Sequence, residues 1–548
     1  MQTVSENWKS IHRRNLLNES FVEVSLDIAD PDALEVAESQ DNGAIYISNS
    51  TQLTDGLDNT PIPYCTLEQN LWYLDGKRKA IPESNLGDNC YVGDALSDDT
   101  CIFSTKQPII TIQFGRVFTK LIPGITITWS PTYGEFADTF TVIAYNGDNI
   151  IVEKEVVGNR SVKSLILMDI INYDRIVIII KKWCLPNHRA RIEEVLVGLN
   201  KVYGKAELFD YSHTQSVDPV STSLPKFEIK FSVDNVNGEY NPYNTDGLAK
   251  YLMERQEIKA RYGLKMDDGS VEWIKGGTFY LSEWYAKQNG LTAEFTARDL
   301  LEFLSDIYYD AEYYLYNEQE RFDEIHANGR SLYELAESIL TSADLPLNSD
   351  GTKKWVIDET LQDIITFAPL PEDTRANCLQ LIANAGECAL YQDREGTLHI
   401  EPLKFKNNDY KIDSFNSYSK SEITLSKPIK QVRVKVYTYT LDNELKLDST
   451  TEETAFPKVG NLNATGETIA IDNPLVTSEE HAYSLGEWLA THLGHRMSLD
   501  SSWRADVSLD ALDIVTNENE YNTNQVRITD VEFKFSGAFR GTAKGKVI

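Results

Sequence analysis

Apolar and polar side chains alternate along LNESFVEVSLDI (17–28), the period of a strand with one buried face. Residues 29–105 are rich in Asp, Gly, Asn, Ser and Pro and read as a loop-dominated entry to a β domain. The pattern then changes. QPIITIQFG, GITITWS, TFTVIAYNG, NIIVEKEVVG, SVKSLILMDI, RIVIIIKKW and RIEEVLVGL are apolar, β-branched runs within 107–200. Turn residues separate them roughly every 8–15 positions, which predicts an antiparallel sandwich or jelly roll of about 150 residues.

From 201 the strands lengthen: KAELFDYSHT, KFEIKFSV, EIKARYGLK, WIKGGTFYLSEWYAKQ and GLTAEFTARD. In KFEIKFSV, Phe227, Ile229, Phe231 and Val233 share one face. The following DNVNGEYNPYN has the composition of a calcium loop but not its spacing. Counting from Asp234, position 3 is Val236 and position 5 is Gly238, where a helix–loop–helix site needs oxygen ligands. It reads as a turn at Asn237-Gly238, and DGLAKYLMER (246–255) is expected to be a short helix. Gly290, in QNG, marks a hairpin turn.

Helical spacing appears next. ARDLLEFLSD (297–306) is expected to be short. SLYELAESILTSADL (331–345) opens with a capping box, Ser331 and Glu334, and sets Leu332, Leu335, Ile339 and Leu340 on one face. TRANCLQLIANAGE (374–387) is a second amphipathic helix, followed by a hairpin turning at DREG (393–396). Strand character returns in ITLSKPIKQVRVKVYTYTL. The polar stretch 442–467 reads as a mobile loop or an insertion. TSEEHAYSLGEWLATHLGHRM (477–497) is the longest predicted helix, with a capping box from Thr477 to Glu480, and QVRITDVEFKFSG (525–537) is a closing strand. The fold class is multidomain and mainly β with α+β modules, a β-sandwich jelly roll beside barrel-like domains.

Charge narrows the function classes. With 52 Lys and Arg against 84 Asp and Glu, the net charge of −32 disfavours phosphate backbones as partners. No run of about 18 apolar residues predicts a membrane span. MQTVSENWKSIHRRN lacks the apolar core of a signal peptide, so synthesis and assembly in the cytoplasm are expected. Six cysteines form no CxxC; a bridge among Cys65, Cys90 and Cys101 and a set of reduced thiols are both open.

GxSxG, HExxH and P-loop motifs are absent, and no enzyme is expected. His492 and His495 lie three apart on the last helix, without a third ligand nearby in sequence. TDGLDNT (54–60) and RIEEV (191–195) fit either ordinary Asx turns or two halves of a calcium site. Aromatic residues crowd in or beside the sandwich: Tyr64, Trp72, Tyr73, Trp129, Tyr133 and Tyr145. Such rings are core, or they stack on sugar rings at wet sites.

GITITWSPTYGEFADTFTVIAYNGDNIIVEKEVVGN and YDRIVIIIKKWCLPNHRARIEEVLVG, within 110–197, resemble a galactose-binding-like, discoidin-type jelly roll used as a carbohydrate-binding module. The resemblance implies a structural calcium held by Asp55, Asp58 and Glu193 or Glu194, no other cofactor, and carbohydrate contacts for which Tyr64, Trp72 and Tyr133 are the candidates. The loop differs from the usual one in length and lacks a clean DG-x-x-T-x-W run.

LPKFEIKFSVDNVNGEYNPYNTDGLAKYLMERQEIKARYGL, GGTFYLSEWYAKQNGLTAEFTARDLLEFLSD and ANCLQLIANAGECALYQDREGTLHIEPL, in that order, resemble the phage tail hub family. That family forms the baseplate hub or tail-tip ring of phages, phage-tail-like bacteriocins and related contractile injection systems. The resemblance implies a homotrimer adapting a sixfold tail tube to a threefold spike or tip. It also implies contacts to the tube or distal tail protein, the spike or tip protein and the tape measure protein, and a place in the virion or tail-like particle. The expected divisions are 1–42 (first part of the hub domain), 43–198 (inserted jelly roll), 199–300 (hub barrel), 301–420 (helix-rich α/β module) and 421–548 (second barrel with the long helix). A carbohydrate-active enzyme with a binding module and a peripheral receptor-binding protein are the competing readings.

Overall fold

The computed structural model describes the chain outside residues 15, 31–32, 35, 47–51, 55–63, 66–67, 69–70, 73–78, 81–90, 246, 288–289, 311–322, 324–325, 349–351, 405–406, 442–446, 458–465 and 519–520. The side chains of 46, 52, 64–65, 79–80, 407–409, 441, 447–448 and 453–457 are likewise outside it. The protein is multidomain and mainly β, and it divides into two compact units. Unit 1 comprises Met1–Val24, Tyr203–Gly238 and Glu257–Ile548; unit 2 comprises Ser25–Val202 and Glu239–Gln256.

In unit 2 the apolar runs become strands as their alternation requires. Ile109–Phe118, Tyr173–Trp183, Ala137–Asn146 and Asn149–Val157 form one antiparallel sheet, which Glu38–Asp41 extends beside Ile109–Phe118. Ile122–Thr128 lies between Lys163–Ile170 and Glu194–Leu196 in a second sheet. Phe140, Val142, Ile176 and Ile178 from the first sheet share one buried core with Ile125, Ile127 and Ile166 from the second. Gly124 permits the close pairing here: its φ is +139°, and a Cβ would sit 1.8 Å from the Ile166 carbonyl oxygen. The loop-dominated entry does contribute strands. Ala44–Tyr46 pairs with Tyr91–Leu96, which pairs with Arg189–Ile192. The last apolar run is two strands, because the chain breaks at Glu193 between Arg189–Ile192 and Glu194–Leu196.

Unit 1 contains two antiparallel strand blocks in one continuous sheet. The first runs Glu257–Lys265, Val271–Ala286, Thr292–Arg298, Lys226–Asp234, Leu208–Ser216. The second contains Thr523–Phe535, Phe539–Val547, Met497–Trp503 and Glu422–Leu425, with Ile514–Glu518 on the other side of Thr523–Phe535. Leu208–Ser216 joins the blocks by pairing Tyr211–Ser216 with Phe535–Asp530. Phe227, Ile229, Phe231 and Val233 are buried together as their period predicts. The strand ends in a turn in which the Gly238 N–H donates to Asn235 O at 2.8 Å and Gly238 takes φ +66°.

Between these blocks, helices Leu332–Ser342 and Arg375–Ala385 pack into a common core with the hairpin of Ala389–Gln392 and Leu398–Glu401. Ser331 and Glu334 form the expected capping box. A separate core joins helix Glu479–Leu493 to strand Ile429–Leu441 through Val432, Val434, Leu485 and Leu489.

Four local expectations are corrected. DGLAKYLMER holds only the 3-10 turn Ala249–Tyr251 among its described residues, since Leu248 at its N-cap offers no side-chain cap. Gln256 then ends the turn, accepting from Met253 N and donating to Tyr251 O. ARDLLEFLSD reduces to the 3-10 turn Leu300–Leu304, because Arg298 still belongs to a strand and Asp299 caps the turn at Leu301 N. The long helix is capped by Ser478, not Thr477, whose hydroxyl instead accepts from Phe367 N. Within 442–467, Leu447–Pro457 is a strand pairing along Ile429–Leu441; Thr450 and Thr451 are β-branched residues suited to it. Among the described residues no helix is long and apolar enough to cross a membrane.

Candidate functional site

A buried polar network lies at the end of the unit 2 core. Strand Arg189–Ile192 sends the Arg191 side chain inward, where it is 0% exposed. Its Nη2 donates to Glu68 Oε2 at 2.6 Å and its Nη1 to Glu135 Oε2 at 2.9 Å. Trp183 Nε1 donates to the same Glu135 oxygen at 2.8 Å, and His188 Nδ1 lies 3.0 Å from Glu135 Oε1. Burial pushes the Glu135 carboxyl up, but the His188 hydrogen bond and the Arg191 charge outweigh it and hold the group below its ordinary value. Glu135 is thus held as an anion beside the guanidinium that Glu68 also contacts. A buried charge cluster with this many hydrogen bonds is costly to break by removing one member.

The turn Ser130–Glu135 covers this network. Glu135 N donates to Ser130 O and Ser130 N to Glu135 O, both at 3.1 Å, while Tyr133 N donates to Ser130 O at 3.2 Å. Gly134 supplies the φ of +68° that closes the turn. The Tyr133 ring is thereby set 5.5 Å from the Arg191 guanidinium carbon, and it remains partly exposed. A partly exposed ring polarised from below by a buried cation can pack against a sugar or another amphipathic surface.

Trp72 is 53% exposed and follows Glu68 by four residues, with Leu71 N donating to Glu68 O at 3.1 Å. Arg191 therefore links the segment carrying Trp72 to the turn carrying Tyr133. Tyr64 starts the short strand Tyr64–Cys65, paired with Lys79–Ala80; its side chain is outside the described residues. Trp129 is fully buried against Trp183 and Phe140 and belongs to the core. Tyr145 lies beneath Arg175 at 4.6 Å.

Of the calcium candidates, Asp55 and Asp58 lie outside the described residues. Glu193 stands where the last run breaks, and its N–H donates to Thr128 O at 2.8 Å and Trp129 O at 2.9 Å. Its Oε1 is buried without a hydrogen-bond partner. Burial pushes its carboxyl up to about 7, against hydrogen bonds from Thr132 and Ser130. A buried carboxylate oxygen of this kind is chemically suited to a hard cation. Glu194 is a half-buried neighbour on the following strand. Among the described residues no three His, Cys, Asp or Glu side chains gather to hold a metal ion.

Cys101, Cys184, Cys378 and Cys388 are free thiols, so Cys101 is in no bridge; Cys90 and the Cys65 side chain lie outside the described residues. His492 and His495 have ring centroids 6.5 Å apart and line a cavity of about 440 Å³ with Trp488 and Arg527. Burial, then the Arg527 charge, pushes His492 down to about 4. Sequence reading alone missed Glu68, Glu135, His188 and Arg191. The one local signal was RARI, whose alternation sets two arginines on one face of a largely buried strand.

No protein-family model matches the chain, and no curated protein matches its sequence. Among solved structures, it is similar to the 43 kDa tail protein of prophage MuSo2 from Shewanella oneidensis, at 14% identity and a TM-score of 0.39, covering 64% of this chain and 95% of that one. It is similar to a tail protein from Neisseria meningitidis MC58 at 11% identity and a TM-score of 0.41, covering 64% and 93%. A type VI secretion system component of E. coli, described as structurally similar to T4 tail proteins, matches at 7% identity and a TM-score of 0.32, covering 62% and 74%.

Proposed function

We propose that this chain is the structural hub of a phage tail or phage-tail-like particle, a trimer adapting a sixfold tail tube to a threefold spike or tip. The observation that carries the reading is the continuous sheet of unit 1. One chain supplies two antiparallel blocks, built from residues 208–298 and 422–547, that pair side by side through Leu208–Ser216 and Thr523–Phe535. Three copies in a ring supply six blocks. Such a ring can meet sixfold neighbours on one side and threefold neighbours on the other with repeated contacts. The hub-like sequence stretches LPKFEIKFSV and GGTFYLSEWYAKQNGLTAEFTARD lie in the first block.

In this reading the chain is not an enzyme, and its partners are the tube or distal tail protein, the spike or tip protein and the tape measure protein. Its place is the baseplate or tail tip, after assembly in a bacterial cytoplasm. Unit 2 serves as a carbohydrate-binding module of galactose-binding-like type. Tyr133, over Arg191, and exposed Trp72 are its contact residues, with Tyr64 as a third. Glu193 with Asp55 and Asp58 would hold a structural calcium. Light scattering of the purified protein tests the assembly. A mass near three times the 62.1 kDa of one chain is expected. A monomer at all concentrations up to those of tail assembly would overturn the trimer.

A further inference from the structure

We propose that Cys101 and Cys184 close into a disulfide when the protein meets an oxidant of the disulfide or diazene class. The pair is set by a short ladder. Trp183 N donates to Cys101 O at 2.8 Å, Ile102 pairs antiparallel with Lys182, and Phe103 N donates to Lys181 O at 3.0 Å. Cys101 therefore lies across from Trp183, one position from Cys184. Facing positions on antiparallel strands have Cα atoms about 4.5–5.5 Å apart, and one strand step of about 3.3 Å off the facing position puts Cys184 about 6 Å from Cys101, within the roughly 4.4–6.8 Å that disulfides span.

Cys101 does not keep regular strand geometry. It ends a turn organised by Asp98, whose Oδ1 accepts from Thr100 N at 2.8 Å and Ile102 N at 3.0 Å, and its φ is +68°. That left-handed backbone turns Cβ away from the alternation that would make Trp183 its facing partner. Cys184 Sγ, in turn, accepts from Phe136 N at 3.3 Å. Burial chiefly raises the Cys184 thiol, and burial likewise raises that of Cys101. Both residues are partly exposed, whereas Cys378 and Cys388 are buried.

The chemistry balances with a small disulfide such as oxidised glutathione. The Cys101 thiolate attacks one glutathione sulfur, releasing one glutathione thiol and leaving a mixed disulfide. Cys184, once deprotonated, attacks the Cys101 sulfur and releases the second. Two protein thiols lose two electrons and two protons, and one glutathione disulfide becomes two thiols. The bridge would fasten the Asp98 turn to the end of strand Tyr173–Trp183. It would also fix Phe136, the neighbour of Glu135, and so stiffen the network under Tyr133. This inference does not depend on the tail-hub reading.

The full chain is treated with oxidised glutathione or diamide, remaining thiols are alkylated, and peptides are mapped by mass spectrometry without reduction. A Cys101–Cys184 linked peptide as the dominant cross-link is expected, with an upward shift of the unfolding midpoint that Cys101→Ser and Cys184→Ser each abolish. Recovery of both cysteines as separate alkylated or glutathionylated peptides, or linkage of either to another cysteine, would overturn it. Peptide mapping of the wild-type protein decides the matter even if one serine variant fails to fold.

Discussion

The Tyr133 ring lies 5.5 Å from the guanidinium carbon of Arg191, a side chain with no exposed surface that bridges Glu68 and Glu135. A partly exposed aromatic is thus held by a charge buried beneath it. If this face binds cell-wall carbohydrate, Tyr133→Ala should lower adsorption to cell walls about tenfold, roughly the 1–1.5 kcal/mol of an aromatic contact. Trp72→Ala should act in the same direction without altering the unfolding midpoint, because Trp72 is half exposed. Pull-down on purified cell walls checks both; unchanged adsorption for the two variants would remove these residues from a binding role.

Arg191→Met should destabilise unit 2 by about 3–5 kcal/mol, since it removes the guanidinium that Glu68 and Glu135 share and leaves Glu68 only the longer 3.7 Å contact to Arg189. Tryptophan fluorescence during denaturant unfolding reports it directly, because Trp183 Nε1 is bonded to Glu135. A loss below about 1 kcal/mol would show that water reaches the network.

Glu193 gives unit 2 a pH dependence. Burial raises its carboxyl from 4.5 to about 7, so the folded state retains a proton that the unfolded state releases. The stabilisation is complete below about 4.5 and is lost as pH rises through 7. Glu193→Gln should flatten that slope between pH 5 and 8 in thermal melts. If Glu193 ligates calcium, added Ca²⁺ should restore stability above pH 7 in the wild type and not in the variant. A slope identical in both proteins would contradict the assignment.

The long helices and strands were legible because their cause is local. Phe227, Ile229, Phe231 and Val233 repeat with period two, and Ser331 and Glu334 sit at capping-box spacing. The network around Arg191 was not, because its partners Glu68 and Glu135 are 123 and 56 positions away and leave no period in the sequence. The expected helix at 246–255 failed for a different reason. Its helical residues are real, but Leu248 cannot cap and Gln256 ties the backbone off after one turn. Thr477 and Ser478 are both capping types, and only the tertiary bond from Phe367 to Thr477 decides between them.

Ser331→Ala should cost about 1 kcal/mol, the worth of an N-cap, by freeing Glu334 N and loosening the reciprocal bond from Ser331 N to Glu334. Ser331→Asp, which can still cap, should retain most of that stability. Chemical denaturation of the three proteins checks the order.

The hub role proposed above puts the chain on the axis of a tail. The most direct measurement is electron microscopy of the intact particle with this chain labelled. The account predicts label on the particle axis, at the junction of tube and tip. Label displaced to fibre ends, or absent from the particle, would contradict it.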